Sequence, residues 1–571
     1  MSRRSELRIE ILNSLVPVSF LGIILLSMYP SVCVHASELP IGIPVPPFGF
    51  VETHEMYASE PGYTIGASGP YTHYVDNTNP SCDDLVNDGT LVKPRCSIPT
   101  SLEAGDVVEV HGGPYRTSGV WDFTLNGARN APIFIHGIDD GGGYPILDSD
   151  DSRNGRVLVN ESYAVFENFR LDTTGAWVGT SFPSDHLAIR NLDINWHQKT
   201  CVIISADYTV VSESEIHHCH DPVEDRHGIQ VNQGTKYTWI LYNDIHHNSG
   251  NGIQYTHQAE FDLPNFVFIG GNHIHSDREV GISSKWVDKT VVSSNVIHSY
   301  RPSQVGVNWC YDDNSGCMTP KSATNGPGII LGSDGYPLEK WVIYNIIYDT
   351  NHCIRVEKTI KGRIIGNVCA NIQGAGIMLE KLAEDLYIVN NTFFNTGIDG
   401  QSGVIQQYWR DAFDLNVQNN LILSPRGRAL WFEQRSVMND MEFNNNLFWN
   451  GGSDFSILWL NDVVQVGTIG ELRDLMQSDL AEMSNNLVMD PGMSVRDTPS
   501  PVMEDFIPPD NSPLVNAGSD VLLILDAEFK ASFGAGVTII PSEWSDHNFD
   551  IGAVPSGFSV DVVTPRPPDL H

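Results

Sequence analysis

Basic residues are scarce: Lys and Arg number 33 against 70 Asp and Glu, for a formal charge of -37. So acidic a chain excludes nucleic acid or an anionic membrane as an electrostatically recruited partner. No Gly-X-Y period runs through the 50 glycines, which excludes a collagen-like winding. Disorder throughout is excluded by a hydrophobic content of 41% and twelve Trp, enough for a large packed interior. Beyond the first 36 residues no segment is long and apolar enough to cross a bilayer.

The start of the chain reads as an export signal. Arg3, Arg4 and Arg8 precede an apolar run from Leu15 to Met28, interrupted by Pro17, and Val34-His35-Ala36 offers a small-residue cleavage site. Cleavage after residue 36 removes three Arg and two Glu, so the mature charge becomes 30 minus 68, or -38. The expected localisation is secreted or periplasmic, with no membrane association after cleavage. Cysteine usage fits an oxidising compartment: Cys82/Cys96 and Cys310/Cys317 lie close in sequence in polar loops, and Cys201/Cys219 and Cys353/Cys369 are further possible bridges. His217-His218-Cys219-His220 superficially offers a zinc site.

A repeated phrase dominates the middle of the chain: an apolar strand, an Asn, then an apolar residue often followed by His. The Asn positions 243, 272, 295, 345, 367, 391, 420 and 446 are separated by 29, 23, 50, 22, 24, 29 and 26 residues, and Asn168, Asn191 and Ser214 continue the series more loosely upstream. A period in the twenties without 3.6-residue spacing is the signature of a solenoid built of short strands. One coil cannot bury its own apolar face, whereas stacked coils enclose a continuous interior. Stacked Asn amides can bond the coils above and below, as in other cross-stacked strands. The expected fold is all-β: a right-handed parallel β-helix with N- and C-terminal caps.

A second column follows each turn. The strands read Gly228-Ile-Gln-Val-Asn232, Gly252-Ile-Gln-Tyr-Thr256, Gly281-Ile-Ser-Ser-Lys285, Gly328-Ile-Ile-Leu-Gly332, Cys353-Ile-Arg-Val-Glu357, Gly376-Ile-Met-Leu-Glu380, Gly403-Val-Ile-Gln-Gln407 and Ala429-Leu-Trp-Phe-Glu433. Their second and fourth members are mostly apolar, so those point inward and the third and fifth point outward. The outward set includes Gln230, Asn232, Gln254, Lys285, Arg355, Glu357, Glu380 and Trp431. With coils about 4.8 Å apart, Glu357 and Glu380 are expected as neighbours and Lys285 about 10 Å from Glu357. A long polar face with an aromatic suits an extended polymer. Insertions from His257 to Pro264 and from Arg301 to Pro327 are expected to wall the coil of Lys285. Gln230, Asn232, Gln254, His257 and Trp431 are the expected substrate-binding residues.

Lys285, Arg355, Glu357 and Glu380 are the expected catalytic residues. In β-elimination of a uronate polymer, Lys285 would be the base and Arg355, or a calcium ion held by acidic groups, would neutralise the carboxylate. Glu357 opposes this role by favouring the protonated lysine. Glycoside hydrolysis or transglycosylation by Glu357 and Glu380 is the alternative, since one coil rise is near the spacing of a retaining pair. A non-catalytic glycan-binding protein or adhesin is the third. His217, His246, His275 and His298 also form a column, which we read as structural turn residues.

Glu279-Val-Gly-Ile282-Ser-Ser-Lys285 resembles the Glu-x-x-Ile-x-x-Lys stretch of the chondroitinase-B and alginate-lyase family. The resemblance implies a lyase in which the Lys is the base, an Arg on the following coil assists and acidic residues can bind calcium. Here the next coil carries Gly332 and Arg355 comes one coil later; Asp277 and Glu279 are the metal candidates. More broadly, residues 71–460, with the closing phrases Asn485-Asn-Leu-Val, Asp490-Pro491, Ser512-Pro-Leu-Val-Asn-Ala-Gly518 and Asp550-Ile-Gly-Ala553, resemble secreted, pectate-lyase-like right-handed β-helix proteins. The expected partner is therefore an extracellular polysaccharide. Domain boundaries follow: 1–36 signal, 37–70 extended Pro-rich arm, 71–460 β-helix with its N-terminal cap, 461–557 C-terminal cap with a helix near 469–484, and 558–571 loose tail.

Overall fold

The computed structural model describes residues 39–57, 71–85, 89–179, 184–221, 224–255, 262–301, 326–333, 336–408, 412–433, 441–460, 462–477, 479–480, 482–495, 499–544 and 549–556. The expected export signal, His257, most of both expected walling insertions, Cys310 and Cys317 lie outside them.

Short strands stack coil upon coil into three parallel ladders, the right-handed parallel β-helix expected from the repeat. The first ladder runs through Ile229–Val231, Ile253–Tyr255, Ile282–Lys285, Pro327–Gly332 and the start of His352–Ile365. The second carries Lys236–Leu241, Asn265–Gly270, Asp288–Ser293 and Lys340–Ile343. The third carries Glu215–His217, Asp244–His246, His273–His275 and Val296–Tyr300. Alternation directs one set of side chains into the lumen. Ile229, Ile253, Ile282, Ile329, Ile354 and Ile377 form one such column, all fully buried.

The Asn column joins the second ladder to the third. Each Nδ2 donates to the Oδ1 of the next Asn at 2.9–3.0 Å, from Asn243 through Asn446 and on to Asn486. The same Oδ1 also accepts from the backbone N–H of the preceding rung's Asn, as Asn345 Oδ1 does from Asn295 N at 3.0 Å, so the buried turn leaves few polar atoms unpaired. The residue before each rung takes a left-handed conformation, as at Tyr242, Ser294 and Tyr344. Upstream the reading shifts by one. Ser214 occupies the ladder and accepts nothing from Asn191; Asn168 and Asn191 fall at the left-handed position instead, where Asn191 Nδ2 donates to Asn168 Oδ1 at 2.6 Å.

The described part of the N-terminal arm is packed against the coils. Residues 39–57 lie on the outer face of the second ladder, where Ile43 and Phe48 are buried beside Trp239 and Phe268. Trp239 Nε1 donates to Pro44 O at 2.9 Å, and Arg190 Nη2 to Glu52 O at 2.7 Å. The helix Ile469–Met476, which starts with a Thr468/Glu471 capping box, turns Leu472 and Met476 into the luminal cluster and so closes the end of the core. The later helix Val521–Phe533 instead runs back along the outer face, seating Phe529 against Trp341. Disulfides Cys82–Cys96, Cys201–Cys219 and Cys353–Cys369 are formed. Cys219 is therefore no zinc thiolate, which removes the superficial His-His-Cys-His site.

Candidate functional site

Lys285 is the last residue of its strand, and the register pairs it with Gly332, Gly332 with Glu357, and Glu357 with Glu380. All four thus share one outward column. Arg355 lies in the adjacent column two residues earlier, in line with Ser283, Ile330 and Met378. The expected 10 Å gap between Lys285 and Glu357 is closed: Lys285 Nζ lies 3.1 Å from Glu357 Oε2. Gly332 is the cause. It has no side chain in the intervening rung, and a Cβ there would stand 2.9 Å from Lys285 Cγ.

Arg355 pairs with Glu380 and lies 4.0 Å from Glu357 Oε2. A third cation, absent from the sequence reading, completes the group. Lys381 Nζ reaches Glu357 Oε1 at 2.5 Å and Glu380 Oε1 at 3.8 Å. Strict alternation would turn residue 381 away from this face, but Lys381 has φ 67°, which takes it out of the strand pattern. The cluster holds three cations and two carboxylates, a local charge of +1 on a chain of -37. Burial favours the neutral acid of Glu357, but the Lys381 hydrogen bond and the charges of Lys285 and Arg355 outweigh it and hold the carboxyl down to about 2.

The scaffold beneath is pinned by a buried amine. Lys340, fully buried, donates from Nζ to Ser284 O and Val287 O, both at 2.9 Å, on either side of Lys285. Burial lowers its pKa to about 7. Beside Lys285, the left-handed Trp286 places its ring 5.8 Å from that of Tyr336, which is 43% exposed. Neither ring carried a repeat signal, because both stand at the turn that leaves the strand.

The remaining expected residues are distributed along the same face. Gln230 and Gln254 pair in register; Gln230 Nε2 donates to Asn232 Oδ1 at 2.8 Å, and Asn232 Nδ2 to Ser205 Oγ at 2.8 Å. Trp431 donates from Nε1 to Glu433 Oε1 at 2.7 Å beneath the Arg428 guanidinium, 4.4 Å from its ring. The rung before it differs from the expected alignment: Ile405, not Val404, pairs with Ile377, so Gln406 stands in line with Met378 and Trp431.

Asp277 is corrected as a metal candidate. It is 1% exposed and faces the interior, where Oδ1 accepts from Asn248 N and Nδ2, both at 2.9 Å, and Oδ2 accepts from Tyr300 Oη at 2.6 Å. Burial raises its pKa to about 8. Glu279 is buried in the following turn, so the two carboxylates do not form an open oxygen cage. Calcium takes six to eight oxygen ligands, whereas Glu357 and Glu380 are already bound by three cations; these residues do not fit the ion. Groups that could hold a metal ion do occur among the described residues, but they are the histidine and acidic side chains of the third ladder.

Residues 146–297 match the family model described as a right handed beta helix region. No curated protein matches the chain. Similar solved structures include a pectate lyase, Pel9A, at 13% identity and TM-score 0.37, covering 80% of this chain and 93% of that one. A surface adhesin of Streptococcus pneumoniae, PfbA, has 13% identity, TM-score 0.39, and coverage of 64% and 91%. A PL6 family polysaccharide lyase from Pseudopedobacter saltans has 13% identity, TM-score 0.39, and coverage of 69% and 90%. The coils that carry Gln230, Gln254 and Lys285 are thus identified as part of a right-handed β-helix region.

Proposed function

We propose that the chain is an exported enzyme that binds an acidic polysaccharide along the first ladder and cleaves it by β-elimination. The observation that carries this reading is the cationic cluster of Lys285, Arg355 and Lys381, with its excess of one positive charge, on an otherwise acidic protein. An incoming uronate carboxylate would replace part of the internal pairing to Glu357 and Glu380. Arg355 and Lys381 would stabilise the charge that develops on that carboxylate as the neighbouring C–H proton leaves. Lys285, released from Glu357 and having first given up its ammonium proton to water, would take the proton; the C–O bond to the leaving sugar then breaks, a C=C bond forms, and the leaving oxygen takes a proton from water or from the newly formed Lys285 ammonium. No step uses a metal ion. Disulfide bonds at three places support export into an oxidising compartment.

Hydrolysis is less well supported, because a retaining pair needs one carboxyl protonated at working pH, whereas both Glu357 and Glu380 are paired with cations, which favour the ionised form. Binding without cleavage has an observation in its favour: the Lys285 ammonium is already paired at 3.1 Å. Incubation with a panel of uronate and neutral glycans distinguishes the three. The lyase reading predicts ultraviolet absorbance of unsaturated uronate ends alongside new reducing ends. New reducing ends without absorbance would replace it with hydrolysis, and retention on glycan with neither signal would replace it with binding.

A further inference from the structure

The outward face of the third ladder carries chemistry that the first-ladder reading does not use. Its strands superimpose Asp193, Glu215, Asp244 and His273 in one column and Asn195, His217, His246, His275 and His298 in the next. The rings of His217, His246, His275 and His298 stack with centroids 4.9–5.0 Å apart. Stacking alone does not call for imidazole, since Tyr208, Tyr237 and Phe266 stack at 4.6–4.7 Å along another corner. What distinguishes the histidine face is the aim of its nitrogens. A carboxylate from one coil meets an imidazole from the next at 3.1 Å for Asp193 and His217, 3.2 Å for Glu215 and His246, and 3.4 Å for Asp244 and His275.

At Asp244 a second imidazole joins. Its Oδ1 lies 3.2 Å from His273 Nδ1 and 3.4 Å from His275 Nε2, and the three donor atoms lie within 4.8 Å of one another. Zinc–nitrogen bonds of about 2.0–2.1 Å in tetrahedral geometry put adjacent ligands about 3.3 Å apart, so these separations need little adjustment. The other ring nitrogens are engaged: His273 Nε2 lies 2.8 Å from His298 Nε2, and His275 Nδ1 lies 3.1 Å from Ser276 Oγ. Partners of that kind fix the tautomer and ring orientation of metal-binding histidines. The side chains remain 14–29% exposed, which leaves an approach from solvent and a fourth position for water.

We propose that Asp244, His273 and His275 bind a divalent transition metal ion of the zinc class, which clamps two successive coils. Two nitrogens and one carboxylate oxygen suit such an ion and not calcium, which requires oxygen ligands. A clamp between coils stabilises the folded chain by mass action, because the unfolded chain does not assemble the three ligands.

The test uses the full mature protein stripped with a chelator and then titrated with Zn2+ alone, in competition with a chromophoric chelator. Co2+ titration followed by visible absorption reports the coordination number. The expected result is that His273→Ala, His275→Gln and Asp244→Asn each bind one ion fewer per chain than the wild type, or bind it at least tenfold more weakly. The wild type gains thermal stability with Zn2+ and shows the intense visible bands of four-coordinate Co2+; the His275→Gln variant, folded by circular dichroism, shows neither. Lys285→Ala binds as the wild type does. Unchanged stoichiometry and affinity in the three variants, or a folded wild type that takes up no ion, would overturn the proposal.

Discussion

An added Cβ at position 332 would lie 2.9 Å from Lys285 Cγ, so the missing side chain is what lets one lysine span two rungs to Glu357. Gly332→Ala is therefore expected to displace Lys285 with little change in fold. In a cleavage assay it should lower turnover at least tenfold while the melting temperature stays within a few degrees; an unchanged rate would show that this reach is unimportant. Glu357 belongs to the same argument. Its folded pKa is depressed to about 2 against an unfolded value of about 4.3, so its stabilisation is present above the unfolded value and is lost as pH falls through the folded one. Between about pH 4 and pH 2 the wild type should lose about 1–3 kcal/mol that Glu357→Gln does not lose, measured by denaturant unfolding across that range. Lys285, Arg355, Glu357 and Glu380 were legible because strand alternation and a regular period place them. Lys381 and Trp286 were not, because each sits at a left-handed turn that breaks alternation.

Among the elements, the Asn ladder was the most legible, since every rung repeats the same residue in the same phrase. Asn345 shows why it is maintained: Nδ2 donates to Asn367 Oδ1, Val292 O and Ile343 O, and Oδ1 accepts from Asn295 N and Nδ2. Asn345→Ala strips these partners inside a fully buried turn and should cost on the order of 2–5 kcal/mol in urea unfolding. Asp277 is the illegible counterpart. It completes a shorter ladder below Cys219 and Asn248, where an amide would make the same bonds to the rung above. Its raised pKa means that its contribution is fully present below about pH 4 and is lost as pH rises through about 8. Asp277→Asn should thus melt higher than the wild type at pH 8, with the difference shrinking toward pH 4. A constant difference would refute the buried-acid account. The strand at Gly403–Tyr408 was misaligned by one residue because Val404 and Ile405 are both apolar and either fits the inward slot.

For the molecule as a whole, the period revealed the helix but not what covers it. Residues 39–57 make long-range hydrogen bonds to partners 138 to 252 positions away, such as Arg190 with Glu52 and Ser293 with Ile41, and no local pattern encodes such contacts. Charge also acts at this scale. A chain of -37 repels a polyanion over distances set by salt, whereas the cluster attracts it at contact. Raising ionic strength from about 0.01 to 0.15 M shortens the screening length from about 30 to 8 Å. Association of a polyuronate should therefore quicken over that range, as stopped-flow mixing can record; a monotonic slowing would mean that attraction dominates at long range. The most direct measurement is the ultraviolet time course of a polyuronate with wild type and Lys285→Ala at matched, saturating substrate. The account predicts unsaturated ends from the wild type and a rate at least about 100-fold lower from the folded variant, with glycan still bound. Equal rates from the two proteins would contradict it.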